Sequence, residues 1–240
     1  MVTPLAIVMP VYNEIGCIER VVREWIEPAR AAHGLLLLVD NGSTDGTMGV
    51  LEQLREEFFP TVRIVIALDR GHGHAIRCGY EFALRNLGAT WVAQVDSDNQ
   101  FSPADFARLL GARGAAAAVI SGVRLDRHDR WPRLAITSAL RLAIRLGFGL
   151  DVPDANCPYR LMHGAWLRDA LALVPTDAFA PNIYLSVLAA RNPRARLTSV
   201  PVTHRARTTG AVTIDRRLAS VCARNALELL RFRRSLGRAP

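Results

Sequence analysis

Leu5-Ala6-Ile7-Val8-Met9-Pro10-Val11-Tyr12-Asn13-Glu14 sets the pattern of this chain: a short apolar, β-branched run that breaks directly into a polar cluster. Such a run reads as a buried strand. The same sequence of events recurs three times. Leu35–Val39 leads into Asp40-Asn41-Gly42-Ser43-Thr44-Asp45-Gly46-Thr47, Val62–Leu68 into Asp69-Arg70-Gly71-His72-Gly73-His74-Ala75, and Trp91–Val95 into Asp96-Ser97-Asp98-Asn99-Gln100. Between the runs, apolar residues recur at helical spacing; Ile15, Ile18, Val22, Trp25 and Ile26 would line one helix face, with Asn13 as its cap. Strand, helix, strand, helix in this order predicts an α/β fold with a mainly parallel sheet flanked by helices on both faces.

The pattern loosens after residue 100. Ala115–Val123 and Leu197–Val202 read as two further strands, and Leu134–Leu146, Gly164–Leu173 and Asn182–Ala190 as helices, with Pro153, Pro158, Pro175, Pro181 and Pro193 punctuating the connections. No internal repeat, low-complexity tract or Gly/Ser linker interrupts the chain. The expectation is therefore one domain over 1–215, followed by a basic amphipathic helix or tail over 216–240.

The chain has 240 residues, 50% of them apolar, enough for one sizeable core. A membrane-spanning helix needs roughly 20 consecutive apolar residues; runs such as Leu35–Val39 fall far short of that. No charged-then-apolar leader opens the sequence. Cys17, Cys78, Cys157 and Cys222 lie far apart, without Cys-x-x-Cys or a matching His spacing, so they read as packing residues in a reduced, cytoplasmic compartment.

The net charge of +8 is segregated: residues 1–100 carry 8 Arg against 13 Asp and Glu, whereas residues 101–240 carry 22 Arg against 9. A basic second half suits nucleic acid, an anionic membrane surface or a phosphorylated substrate. The absence of an aromatic-interleaved basic stripe or a known reading motif argues against nucleic acid.

In open parallel sheets, ligands bind in the crevice outside the carboxyl ends of the strands. Asp96 and Asp98 leave the fourth strand there. Residues i and i+2 point to one side, so both carboxylates can face one hard cation, Mg²⁺ or Mn²⁺, with substrate phosphate completing its shell. An isolated Asp-x-Asp is more often a polar strand end, and its context decides. Asp40 is placed to hydrogen-bond a base or ribose, and Ser43 and Thr44 to cap the following helix. Gly71-His72-Gly73-His74-Ala75-Ile76 does not complete the Gly-x-Gly-x-x-Gly dinucleotide pattern, which removes the main support for a nicotinamide or flavin enzyme. His72 and His74 read as turn residues more readily than as metal ligands.

Taken together, these clusters resemble family 2 glycosyltransferases of the GT-A fold, and within them the polyprenyl-phosphate and dolichyl-phosphate mannosyltransferase-like group. The matching segments are Val8–Glu14, Val39–Thr47, Gly71–Ala75 with Gly79-Tyr80, Asp96–Gln100, Arg124, Asp154 with Arg160, and His204 with Arg207 and Gly210. The resemblance implies that Pro10, Tyr12, Glu14, Asp40 and Gln100 hold the nucleotide, and that Asp96 and Asp98 hold Mg²⁺ or Mn²⁺ on the diphosphate. It also implies that Arg124, Arg133 and Arg207 serve the diphosphate or the acceptor phosphate. Thr137, Asp154, Arg160 and His204 are then acceptor or structural positions. Residues 1–100 become a nucleotide and metal half, and 101–215 an acceptor half. The chain departs from the family pattern at Asn41, at Thr137, at Val212-Thr213 where Ser-Lys is common, and at Asn182 where relatives often carry glutamate.

The implied reaction is inverting transfer of a sugar from a UDP- or GDP-linked donor to a polyprenyl-phosphate-type lipid. Such an acceptor is already anionic and needs no general base, whereas a sugar hydroxyl does. Two other readings remain open: transfer to a soluble sugar or glycan hydroxyl, and a non-catalytic protein that binds nucleotide-sugar or membrane for a partner. A lipid acceptor requires peripheral contact with the inner membrane face or a membrane protein partner. Arg124, Arg127, Arg130 and Arg133 flank a loop suited to gripping phosphate. Ile136–Leu150 with Arg141 and Arg145, and Arg216–Arg234, suit either membrane contact or packing on the domain.

Overall fold

The computed structural model describes residues 4–114, 117–124, 131–193, 195–205 and 228–236, with the helical path alone for 131–136. Among these residues, seven strands form one sheet: β1 (Leu5–Val11), β2 (Gly34–Asp40), β3 (Val62–Ile66), β4 (Trp91–Gln94), β5 (Val119–Arg124), β6 (Arg160–His163) and β7 (Leu197–Val202). Their order is β3-β2-β1-β4-β6-β5-β7. Only β6 runs against its neighbours β4 and β5, so the sheet is mainly parallel, as the alternating pattern predicts.

Every residue of β1 is buried because both faces of the sheet are covered. Ala6 and Val8 face a layer built from α3 (His72–Arg85), α6 (Gly164–Leu173) and α7 (Pro181–Arg191). Leu5, Ile7, Met9 and Val11 face α1 (Ile18–Ala31), α2 (Thr47–Glu57) and α4 (Phe106–Gly111). This two-sided burial is what turns the strands into continuous apolar runs in the sequence. Helix α3 lies close to the sheet because Gly79 has no side chain; a Cβ there would overlap Val8 and Val39. An 18-residue helix, α5 (Trp131–Phe148), follows β5.

Four local expectations change. Asn13 does not cap α1; it sits at φ 52°, the helix begins at Ile18 after Cys17, and Ile15 is 51% exposed in the preceding turn. Ser43 and Thr44 do not cap α2, whose N-cap is Gly46 in the left-handed region; Asp45 instead accepts from Thr47. The run Ala115–Val123 begins its strand only at Val119, and residues 115 and 116 lie outside the described set. Strand β6 has no counterpart in the sequence reading, because four residues beginning with an arginine carry too little apolar pattern to reveal a buried strand.

Among the described residues no helix is long and apolar enough to cross a membrane. Of the basic C-terminal stretch, the helical segment 228–236 is described. Leu229 and Phe232 are buried against the α3, α6 and α7 layer, with Phe232 edge-on to Tyr184 at 4.9 Å, while Leu230 is exposed. This segment packs on the domain with its arginines turned outward.

Candidate active site

Three polar loops meet at the carboxyl ends of β1, β2 and β4, and hydrogen bonds lace them together. The backbone amide of Asn13 donates to Ser43 Oγ at 3.1 Å, that of Glu14 to Thr47 Oγ1 at 3.0 Å, and that of Thr44 to Asn13 Oδ1 at 2.8 Å. Ser97 Oγ donates to the carbonyl of Pro10 at 2.8 Å, tying the third loop to the first. The amide of Gly71 donates to Asn41 Oδ1 at 3.2 Å, which brings in the start of α3. Asn41 thus works as a bridge between loops, a role its amide suits because it can accept and donate at once.

Within this frame Tyr12 is half exposed at the rim and Glu14 is buried, its Oε2 accepting from Cys17 Sγ at 3.2 Å. The Asp40 carboxylate is buried and receives the amides of Gly42 and Ser43 at 3.0 and 3.2 Å, so it shapes its own turn as well as facing the loops. Asp45 is held below the usual carboxylate range: burial raises it, but hydrogen bonds from the Thr47 hydroxyl and amide and the Ile15 amide outweigh that.

Asp96 and Asp98 leave β4 as expected. Val95 continues the ladder by donating to Val8 O at 3.1 Å, so Gln94 and Asp96 lie on one side of the extended backbone. Oδ1 of Asp96 is buried with no hydrogen-bond partner. Asp98 Oδ1 accepts from the amide of Gln100 at 3.2 Å, and Gln100 Nε2 donates to Arg205 O at 3.1 Å, next to His204. His204 is buried, bridged to Phe101 and edge-on to its ring.

Both carboxylates offer the hard oxygens that Mg²⁺ or Mn²⁺ prefers, and a buried carboxylate oxygen left unpaired is costly unless a cation or donor arrives. Among the described residues no group of three His, Cys, Asp or Glu could hold a metal ion. The donor set therefore fits a cation that takes the rest of its shell from a bound phosphate rather than one caged by protein.

On the acceptor side, the guanidinium of Arg124 grips Asp154 through Nε at 2.7 Å and Nη2 at 2.9 Å. Arg160 is fully buried and bonds neutral groups: the carbonyls of Cys157, Ala155 and Asn182 and the hydroxyl of Ser186. It is a clamp on the chain rather than an exposed cation. Burial pushes the neighbouring Cys157 thiol up to about 12, which disfavours its thiolate. Thr137 is half-buried on α5. Arg133 lies on the same helix but its side chain is outside the described set, as are all of Arg207, Arg127, Arg130, Gly210, Val212, Thr213 and Arg216–Arg224.

Sequence reasoning missed a buried polar row beneath the carboxylates. Gln94 and Arg160 are direct cross-strand partners on β4 and β6, with Ser121 of β5 beyond. The hydroxyl of Tyr80 on α3 lies between Oε1 of Gln94 and, at 3.1 Å, Oδ1 of Asn182 on α7. A glutamine closing the otherwise apolar run of β4 was the available signal.

The family described as Glycosyl transferase family 2 matches residues 6–171. An undecaprenyl-phosphate 4-deoxy-4-formamido-L-arabinose transferase of Sodalis glossinidius is 30% identical over 222 residues, covering 88% of this chain and 64% of that protein. One of the same description from Pseudomonas aeruginosa (strain LESB58) is 28% identical over 187 residues, covering 74% of this chain and 52% of its own length. A polyprenol monophosphomannose synthase of Mycolicibacterium smegmatis is 26% identical over 178 residues, 72% of this chain and 64% of that one. The chain thus spans between about half and two thirds of these relatives. Among solved structures, glucosyl-3-phosphoglycerate synthase of Mycobacterium tuberculosis in complex with uridine-diphosphate superposes with a TM-score of 0.72 at 20% identity, covering 96% of this chain and 80% of that one. The same enzyme is known with Mn²⁺, uridine-diphosphate and glucosyl-3-phosphoglycerate, at a TM-score of 0.68, 19% identity, and coverage of 96% of this chain and 80% of that one. With the mainly parallel sheet, the laced loops and the Asp96–Asp98 strand end, the matched span identifies the chain as a member of glycosyl transferase family 2.

Proposed function

We propose that this protein is an inverting, metal-dependent glycosyltransferase that moves a sugar from a nucleotide-sugar to a polyprenyl-phosphate-type lipid. The observation that carries it is the buried, unpartnered Oδ1 of Asp96 at the end of β4, beside the laced loops of β1 and β2. A polar atom left in that condition fits a site completed by its ligand. Tyr12, Glu14 and Asp40 line the nucleoside end, and Asp96 and Asp98 the diphosphate end. The cation, when bound, neutralises charge on the departing diphosphate. The chain's own residues do the rest by holding the donor still and by excluding water from its buried half.

The acceptor follows from chemistry and from relatives. A hydroxyl acceptor needs a base, yet Asp154, a buried carboxylate beside Arg124 on the acceptor side, has both oxygens engaged by that arginine. A phosphate acceptor needs none. Relatives named for transfer to undecaprenyl phosphate, and one named for polyprenol monophosphomannose, support the same choice. Helix α5 supports a membrane-facing role: Leu142 and Leu146 are exposed beside Arg145, a pattern that suits an interface with anionic lipid, while the neighbouring Arg141 is ion-paired with Asp151. The proposed place of action is the cytoplasmic face of the membrane.

Calorimetry with UDP- and GDP-sugars in the presence of Mn²⁺, followed by a radiolabelled-sugar assay with polyprenyl phosphate, tests the proposal. Saturable, metal-dependent binding and label in the lipid phase are expected. Label appearing only in a water-soluble acceptor would overturn the lipid assignment.

A further inference from the structure

The buried row under the carboxylates has two loose ends that match. Tyr80 is fully buried, and its hydroxyl holds Oε1 of Gln94. The amide of Gln94 therefore keeps its carbonyl toward α3, and its Nε2 is left buried with no partner. Two residues on, Oδ1 of Asp96 is likewise buried with no partner. Both side chains leave the extended backbone on the same side, since Val95 between them still pairs with Val8. One is a donor and the other an acceptor. Leaving either unsatisfied in a buried site costs free energy, so a pair of opposite polarity two residues apart is more stable joined than apart.

Neighbouring residues restrain Gln94. Arg160, its cross-strand partner, fills the adjacent position with a guanidinium already committed to the carbonyls of Ala155, Cys157 and Asn182. Asn182 meets the Tyr80 hydroxyl from α7. A single phenolic proton faces two acceptors, Gln94 Oε1 and Asn182 Oδ1, and the closer contact is the one to Gln94. Tyr80 of α3 thus holds the Gln94 amide, with Arg160 of β6 as its cross-strand neighbour.

We infer that Tyr80 and Gln94 are positioning residues for Asp96: the Tyr80 hydroxyl orients Gln94 so that its NH₂ meets Oδ1 of Asp96, directly or through one buried water, when the site is loaded. The contact turns the carboxylate so that its second oxygen is the one offered to a divalent cation on the donor diphosphate. Neither residue touches substrate. Their effect passes through Asp96, in the way that outer hydrogen bonds orient metal-binding carboxylates generally. The inference rests on the donor-site reading of Asp96 given above.

Mn²⁺ binding in the presence of UDP, followed by the electron paramagnetic resonance signal of free Mn²⁺, tests it without requiring turnover. Tyr80→Phe removes one oxygen and keeps the ring, and Gln94→Leu removes the donor. Both variants are expected to weaken Mn²⁺ binding by roughly tenfold or more, the loss usual when an outer partner of a metal ligand is removed. The metal concentration for half-maximal activity should rise by the same factor, with kcat at saturating metal changed far less. Tyr80→Phe serves as the deciding variant if Gln94→Leu does not fold. A Tyr80→Phe protein with a lowered Tm but wild-type Mn²⁺ affinity would show a merely structural hydroxyl and overturn the inference alone. Wild-type protein that binds no Mn²⁺ with UDP would overturn the donor-site reading and this inference together.

Discussion

Arg124 at the end of β5 holds both carboxylate oxygens of Asp154, a residue thirty positions away, in a two-pronged ion pair that leaves Asp154 almost wholly buried. Charged pairs of this kind matter most when half of one is removed, because the remaining charge keeps its burial and loses its compensation. Arg124→Met should destabilise the fold by about 3–5 kcal/mol through that stranded carboxylate. The double variant Arg124→Met with Asp154→Leu should recover much of the loss. Chemical denaturation of the three proteins checks this, and a double variant no more stable than the single one would contradict it.

Asp98→Ala and Asp96→Asn should abolish metal-dependent donor binding while leaving the circular dichroism spectrum and Tm near wild type. Loss of a direct ligand should exceed the roughly 10–100-fold effect typical of residues that only support one. Isothermal titration with UDP-sugar and Mn²⁺ measures it. Unchanged binding in both variants would remove the carboxylates from the site.

Thr47 has no exposure, and its hydroxyl both accepts the Glu14 amide and donates to Asp45. Thr47→Val keeps the shape and strands that amide, at about 1–3 kcal/mol. The first two loops should loosen, so nucleotide affinity should fall together with Tm. A valine variant with intact affinity would show that the lacing does not position Glu14.

Asp45 has a depressed folded pKa, and the sign of its linkage follows. Its contribution to stability is present above the unfolded value of about 4 and disappears as pH falls through the lower folded value. Asp45→Asn should therefore reduce stability at neutral pH and flatten the acid limb of a plot of unfolding free energy against pH. Parallel acid limbs in the two proteins would refute the assignment.

Gly73, in the first turn of α3, lies against the backbone of residues 178 and 179, and a Cβ there would overlap the carbonyl oxygens of Ala178 and Phe179. Backbone cannot rotate away as a side chain can. Gly73→Ala should cost at least about 1–3 kcal/mol, whereas Gly49→Ala on exposed α2, with nothing within 4 Å, should be neutral or stabilising. Thermal denaturation of the pair separates close approach from helix propensity.

The sheet was legible because its strands are buried on both faces, which writes Leu5–Val11 and Gly34–Asp40 into the sequence as unbroken apolar runs. Leu197–Val202 and Gly164–Leu173 coincide with the spans expected from pattern alone. The strand-end carboxylates were legible for the same reason, since each sits where a run stops. What stayed hidden depends on partners far apart in sequence. Arg160 reads as an acceptor or structural position, but its clamp on the carbonyls of 155, 157 and 182 depends on residues that spacing does not bring together, and Tyr80 meets Asn182 across 102 positions. The cap assigned to Asn13 failed because its side chain was needed at Thr44, in a neighbouring loop that spacing along one helix cannot reveal.

The reversed direction of β6 has a consequence for how the crevice is enclosed. In a parallel strand only the segment that leaves it can reach the carboxyl-end rim, but β6 pairs Arg160, its first residue, with Gln94, the last of β4. The segment feeding into β6, from Asp154 to Tyr159, is thereby delivered to the same rim as the loops that follow β4 and β5. A chain that alternates strictly between strand and helix gains only outgoing loops on that side. One strand turned end for end supplies an incoming one, and it is this segment that brings Asp154 within reach of Arg124.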